Sequence, residues 1–238
     1  EIPEEEGRQM TIKADLIKKE KLDRQIIGLR VAKEFKDGDI VNLGIGIPGL
    51  AANFVPAGRE VIFHSENGVL GYGEVTLPGE GDLDLVNAGG QTVSRQPGMC
   101  FFSHDESFAI VRGGHLDISV MGAYQVSEKG DLANYMVPER QVGTIGGAMD
   151  LAFGAKRLII VMNHTTKDGK PRIVKKCDYE LTAPKSVDLI VTDIAVIEVT
   201  ARGLVLKEIA PDWTPQEVQR LTEPRFKVAP DCHEIELT

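Results

Sequence analysis

Three short segments of this chain hold the residue types that covalent chemistry needs. The first is Ser65-Glu66-Asn67-Gly68, which follows the apolar run Val61-Ile62-Phe63-His64. That run reads as a buried strand, so a carboxylate stands where a strand meets an Asn-Gly bend. Asn and Gly tolerate positive φ and let the chain turn sharply there. A glutamate presented at a strand end can serve as nucleophile, general base or metal ligand. The second segment is Gly44-Ile45-Gly46-Ile47-Pro48-Gly49, a literal G-x-G-x-x-G after a short strand over 40–43. Glu66 lies 17 residues beyond Gly49, near where the ribose-binding acid of a dinucleotide fold would sit. Against that reading, Pro48 removes one backbone donor, and the helix expected over 49–55 is too short for an ordinary βαβ crossover. The turn can therefore bind a nicotinamide cofactor, line another ligand's site, or only pack tightly. The third segment is Gly146-Gly147-Ala148-Met149-Asp150. Paired glycines ahead of a helix offer N–H groups to an anion or an oxyanion.

Other reactive residue types are read as structural. His115, in Arg112-Gly113-Gly114-His115-Leu116-Asp117, is taken as a hydrogen-bonded turn residue. Lys167, Lys170, Arg172, Lys175 and Lys176 surround Gly169-Lys170-Pro171 and read as a solvated hairpin. Cys100, Cys177 and Cys232 are odd in number and far apart, which argues against a disulfide framework. The histidines show no metal-ligand spacing, so no metal is expected.

The elements that must position these residues alternate in type. Leu22, Ile26, Ile27, Val31 and Phe35 mark one apolar face of a helix over 21–36, stopped at Asp37-Gly38-Asp39. Strands are expected over 83–87, 116–121, 158–162, 187–191, 195–199 and 203–209. Residues 107–111 fit a short helix or a strand equally. A helix should begin near Ala148. Another begins at Thr214-Pro215-Gln216-Glu217, with Thr as N-cap, Pro in the first turn and Glu217 closing a capping box. This order predicts an α/β fold: an open, mostly parallel sheet with helices on both faces. Ligands of such sheets bind beyond the carboxyl ends of the strands, here after Leu43, His64, Asn87, Met121 and Met162.

Composition narrows the function classes. The 238 residues carry a net charge of −9, which disfavours a large nucleic-acid footprint. No apolar run is long enough to span a membrane, and the acidic start Glu1-Ile2-Pro3-Glu4-Glu5-Glu6 is no secretory signal. A cytoplasmic location is expected, with residues 1–20 an N-terminal extension (Met10 a candidate natural start) and 21–238 a single domain.

Six motifs in order then point to a family. Val41-Asn42-Leu43-Gly44-Ile45-Gly46-Ile47-Pro48, Ser65-Glu66-Asn67-Gly68 and Asp105-Glu106-Ser107-Phe108 come first. Arg112-Gly113-Gly114-His115-Leu116-Asp117, Gly130-Asp131-Leu132-Ala133-Asn134 and Gly146-Gly147-Ala148-Met149-Asp150-Leu151 follow. Together they resemble the B (beta) subunit of class I 3-oxoacid CoA-transferases, over about residues 20 to 230. The resemblance implies a subunit that moves CoA between an acyl-CoA, such as succinyl-CoA, and a 3-oxoacid or short carboxylic acid. It implies a ping-pong reaction through a glutamyl-CoA thioester on Glu66. Gly147 would supply one oxyanion N–H, and a glutamine of an alpha subunit, either a separate chain or the other half of a fused one, the other. Gly44, Gly46, Asn67 and Gly146 would line the CoA site, with coenzyme A as substrate and no permanently bound cofactor. Tyr135 stands where family members often have Trp, an exchange in the acyl pocket. The rival readings are a nicotinamide-dependent oxidoreductase, from the glycine turn, and a non-catalytic CoA-binding subunit.

Overall fold

The computed structural model describes residues 15–77, 79–137 and 143–236. In chain order its strands are β1 (Ile40–Leu43), β2 (Ile62–Ser65), β3 (Val69–Tyr72), β4 (Cys100–Phe101), β5 (Leu116–Gly122), β6 (Gln125–Ser127) and β7 (Leu132–Ala133). There follow β8 (Ala155–Met162), β9 (Ile173–Val174), β10 (Leu189–Thr192), β11 (Ala195–Thr200), β12 (Gly203–Ile209) and β13 (Phe226–Glu234). The α-helices with assigned bounds are α1 (Arg24–Ala32), α2 (Ile47–Leu50), α3 (His104–Arg112), α4 (Ala148–Gly154) and α5 (Pro215–Leu221).

Ten strands form one sheet in the order β13-β12-β11-β10-β8-β5-β1-β2-β3-β4. Its five central strands, β10 through β2, run parallel. Antiparallel pairs flank them at β2–β3, β3–β4, β10–β11 and β11–β12. A second sheet has the order β7-β6-β9. The continuous apolar run in β8 follows from burial on both faces. Leu158, Ile160 and Met162 join one core with Leu151 of α4 and Val218 of α5. Ile159 and Val161 point the other way and join a second core with Ile27 and Val31 of α1. The period of two thus sorts one strand between two cores, each closed by helices. The expected α/β sheet with helices on both faces is present.

Where local expectations and structure differ, side-chain-to-backbone bonds explain the difference. Helix α1 starts at Arg24 because the Asp23 carboxylate caps Ile26 N–H at 2.9 Å. Residues 83–87 form no strand. The Asp82 carboxylate accepts from Asp84 N–H at 3.0 Å, turning the chain, and Val86 makes only an isolated bridge to Thr92. Residues 107–111 are helical because Ser103 and Glu106 form a capping box ahead of α3. The box at Thr214 and Glu217 matches expectation.

A charged network ties α1 to β12 away from the glutamate turn. Arg30 grips Glu208 with two bonds of 2.6 Å and reaches Glu34 at 2.7 Å, which also accepts from Arg157 at 2.7 Å. Arg30→Met leaves the buried Glu208 carboxylate without its fork. The expected loss is about 3–5 kcal/mol of unfolding free energy. Arg30→Met/Glu208→Leu should recover most of it in urea titrations; no recovery would show that the pair is not the source.

Candidate active site

Glu66 leaves the carboxyl end of β2 and begins a tight turn, with Gly68 N–H donating to the Ser65 carbonyl at 3.0 Å. Gly68 has φ of 107°, and a Cβ there would run into the Phe102 carbonyl oxygen. Only glycine fits both constraints. Phe102 N–H donates to the Gly68 carbonyl at 3.0 Å, closing the turn from the other side. The segment after residue 85 straps the bend: Asn67 Nδ2 donates to the Val86 carbonyl at 2.8 Å, and Ala88 N–H to Ser65 Oγ at 2.8 Å. These bonds hold the backbone on both sides of a half-buried carboxylate.

A row of buried polar groups lies beneath it, because Asn42 of β1 is in register with His64 of β2 and Ser119 of β5. Asn42 Nδ2 lies 3.1 Å from His64 Nδ1, 3.2 Å from the His64 carbonyl oxygen and 3.5 Å from Glu66 Oε2. An amide nitrogen only donates, so His64 Nδ1 accepts and its Nε2–H faces Ser107 Oγ at 3.0 Å. Asn42 Oδ1 and Ser119 Oγ are buried without partners among the described residues. Sequence reasoning does not single out Asn42, although an amide inside the apolar strand Ile40-Val41-Asn42-Leu43 is a signal.

Burial pushes the His64 imidazole down to about 4, and His164, buried between Thr192 and Thr222, also to about 4. Both are depressed below the ordinary value of 6.5, so the unfolded chain binds more protons between those pH values. Their contribution to stability is full above about pH 6.5 and is lost as pH falls toward 4. Each histidine should cost about 3 kcal/mol over that window. Denaturant titrations from pH 7 to 4 should show the decline, and a folded His164→Gln variant should show a shallower one. An unchanged slope would remove His164 as a source.

Glu66, Gly146 and Gly147 line two cavities at once. One, of about 650 Å³, continues past Asn67, His104, Phe108, Arg112 and Asp150. The other, of about 640 Å³, passes behind Gly44 and Pro48 toward the ends of β5 and β8. Gly147 is the N-cap of α4, and among the described residues neither its N–H nor that of Gly146 has an acceptor. A carboxylate and two unengaged donors thus border a common space.

The other expected positions divide. Gly44 lines the second cavity, and its N–H donates to the Val120 carbonyl at 2.8 Å, an approach a side chain would crowd. Gly46 is not in that lining; its φ of 89° serves the turn. The glycine turn opens only the four-residue α2 and then a single 3₁₀ turn. Such an element presents few aligned N–H groups to a pyrophosphate. Tyr135 lines neither cavity, and its hydroxyl donates to Glu180. Among the described residues, no group of three or more His, Cys, Asp or Glu side chains could hold a metal, and no helix is long and apolar enough to cross a membrane.

Known proteins share this arrangement of sequence and fold. The family model for Coenzyme A transferase matches residues 24–221. The B subunit of the 3-oxoadipate CoA-transferase of Pseudomonas putida is 49% identical over 203 residues, 85% of this chain and 95% of that protein. Mouse mitochondrial succinyl-CoA:3-ketoacid coenzyme A transferase 2B is 48% identical over 204 residues, but this chain spans only 39% of its length. Among solved structures, the Escherichia coli O157:H7 acyl-CoA transferase YdiF has a TM-score of 0.72 at 20% identity, over 90% of this chain and 43% of that one. A decarboxylase, AibA/AibB, reaches 0.65 at 15% identity over 91% of this chain and 90% of that one. The fold therefore houses more than one reaction, and sequence must separate them. A family model that spans most of the chain, together with 49% identity along nearly the whole of a B subunit, places the chain in the coenzyme A transferase family.

Proposed function

We propose that this chain is the glutamate-bearing subunit of a CoA-transferase. In this reading it moves CoA between an acyl-CoA, such as succinyl-CoA, and a 3-oxoacid or short carboxylic acid. The observation that carries the reading is Glu66 at a fixed strand-end turn, sharing both cavities with the unengaged Gly146 and Gly147 amides. A Glu66 oxygen attacks the thioester carbonyl carbon and CoA thiolate leaves, giving an acyl–glutamyl anhydride. The thiolate attacks Cδ of Glu66, releasing the first acid as its carboxylate and leaving a glutamyl-CoA thioester. The second carboxylate attacks the same carbon and expels thiolate. Attack of that thiolate on the new acyl carbonyl restores Glu66 and forms the new acyl-CoA. Each step replaces one carbonyl–heteroatom bond by another, so it needs no net proton, electron or nucleotide input. Each passes through a tetrahedral oxyanion, and the Gly147 N–H is its donor in this reading.

The partner in this reading is an alpha subunit. Its support is that the Pseudomonas relative is itself named as one subunit of an enzyme, and that the mitochondrial relative is more than twice as long as the stretch it shares with this chain. The alpha subunit supplies the second oxyanion donor and closes the cavities against water, which would hydrolyse the anhydride. The test is incubation of the two-subunit complex with an acyl-CoA, then intact-mass measurement of this chain. A gain of CoA less one water is expected. The isolated chain should exchange CoA at least about 10²–10³-fold more slowly, the cost of one missing donor. Exchange by a complex whose chain never gains mass would overturn the covalent route.

A further inference from the structure

The cavity behind the glycine turn carries charge that the chemistry at Glu66 does not use. Among the described residues its charged lining is Glu66, Arg24 and Arg172. Two cations to one carboxylate is the reverse of the balance in a chain of net charge −9. Arg24 is exposed in the first turn of α1. Arg172 is half-buried just ahead of β9. Its backbone is fixed on both sides, donating to the His164 carbonyl at 3.1 Å and accepting from Val126 N–H at 2.9 Å.

The side chain is held but not satisfied. Arg172 Nη1 donates to the Ala123 carbonyl at 3.3 Å, while Nε is buried with no acceptor. Among the described residues its guanidinium makes no ion pair, whereas Arg30 and Arg157 are paired with glutamates. Met121, Val161 and Met162 supply apolar wall to the same cavity. Nε lies too deep for a ligand to reach, so it is the Nη end of this half-buried guanidinium that can meet a planar or tetrahedral oxyanion in the cavity.

We propose that Arg172 is a specificity-determining anion receptor. It holds a carboxylate or phosphate at one end of a substrate whose other end reacts at Glu66. The proposal rests on the transferase reading for the identity of that reacting end. Two sources supply the same chemistry: the second carboxylate of a dicarboxylic acid, or a phosphate of CoA. Ligands lacking the anionic group leave Arg172 desolvated and unpaired, so the site discriminates by the penalty as well as by the contact.

Calorimetry on the two-subunit complex separates the sources, using succinate against butyrate and CoA against pantetheine. The wild type should prefer the anionic member of at least one pair. Arg172→Met should reduce that preference by at least about 10-fold, and Arg172→Lys by less, since it keeps charge without the fork. Collapse of the succinate preference assigns the carboxylate; collapse of the CoA preference assigns the phosphate. Absence of both preferences in the wild type overturns the proposal without any variant. So do unchanged preferences in a variant that melts like wild type, and the Lys variant serves if the Met variant does not fold. Thioester formation on wild-type Glu66 is scored separately. A thioester with selectivity independent of Arg172 refutes only the receptor. Arg172-dependent selectivity without a thioester refutes only the transferase reading.

Discussion

Glu66→Ala is expected to reduce CoA exchange by roughly 10⁴–10⁶-fold, the loss seen when a covalent nucleophile is removed. The fold should survive. Glu66 is half-buried, and its one hydrogen bond among the described residues is the long contact of 3.5 Å from Asn42. The turn is fixed instead by Ser65, Asn67 and Gly68, none of which the substitution touches. The melting transition should therefore stay close to wild type, as for surface changes of about 0.5 kcal/mol or less. Glu66→Asp keeps the charge but withdraws the attacking oxygen by more than about 1 Å, which costs on the order of 10²-fold or more. Borohydride should reduce the wild-type glutamyl thioester to an alcohol and leave the Ala variant unlabelled. Substantial exchange by a folded Glu66→Ala complex, or labelling at another residue, would remove Glu66 from the mechanism.

Most of what places that carboxylate is legible along the chain. Residues 40–43 and 61–64 are short β-rich runs that precede a glycine turn or an Asn-Gly bend, and the parallel central strands β1 and β2 form there, β2 one residue later at Ile62–Ser65. The alternation over 203–209 and the cap at Thr214 are equally local and equally readable. What escapes depends on distant or competing bonds. Residues 83–87 have strand composition, but Asp82 offers its carboxylate to the backbone and the turn wins. The Asn42–His64–Ser107 row joins two strands and a helix whose register no single segment encodes. Arg172 reads as part of a solvated hairpin because its neighbours are lysines, whereas its own side chain turns into a cavity. The glycines at 44 and 46 look alike in the motif and differ in space: Gly44 is in the cavity lining, whereas Gly46 is outside that lining and holds the turn at φ of 89°.

In the transferase reading, Gly147→Ala should cost about 10²–10³-fold in kcat while the substrates' KM values change little, because that reading puts the lost contact in the transition state. The residue has φ of −86°, which any amino acid adopts, so backbone strain is not the cause. The obstacle is the Phe108 ring, whose Cζ would lie 2.6 Å from the new Cβ. Phe108 is 8% exposed and packs against His104 at 4.8 Å between ring centroids and beneath Arg112 at 5.5 Å. The ring and the peptide carrying the Gly147 N–H must move apart, and whatever share the peptide takes shifts the donor. A displacement of a few tenths of an ångström moves the donor away from the oxyanion while Glu66 stays in place. Gly147→Ala/Phe108→Ala removes the obstacle and should return exchange to within about 10-fold of Phe108→Ala alone. Failure of that rescue would exclude the steric route. Exchange by Gly147→Ala within a few-fold of wild type would show that this N–H is not the oxyanion donor.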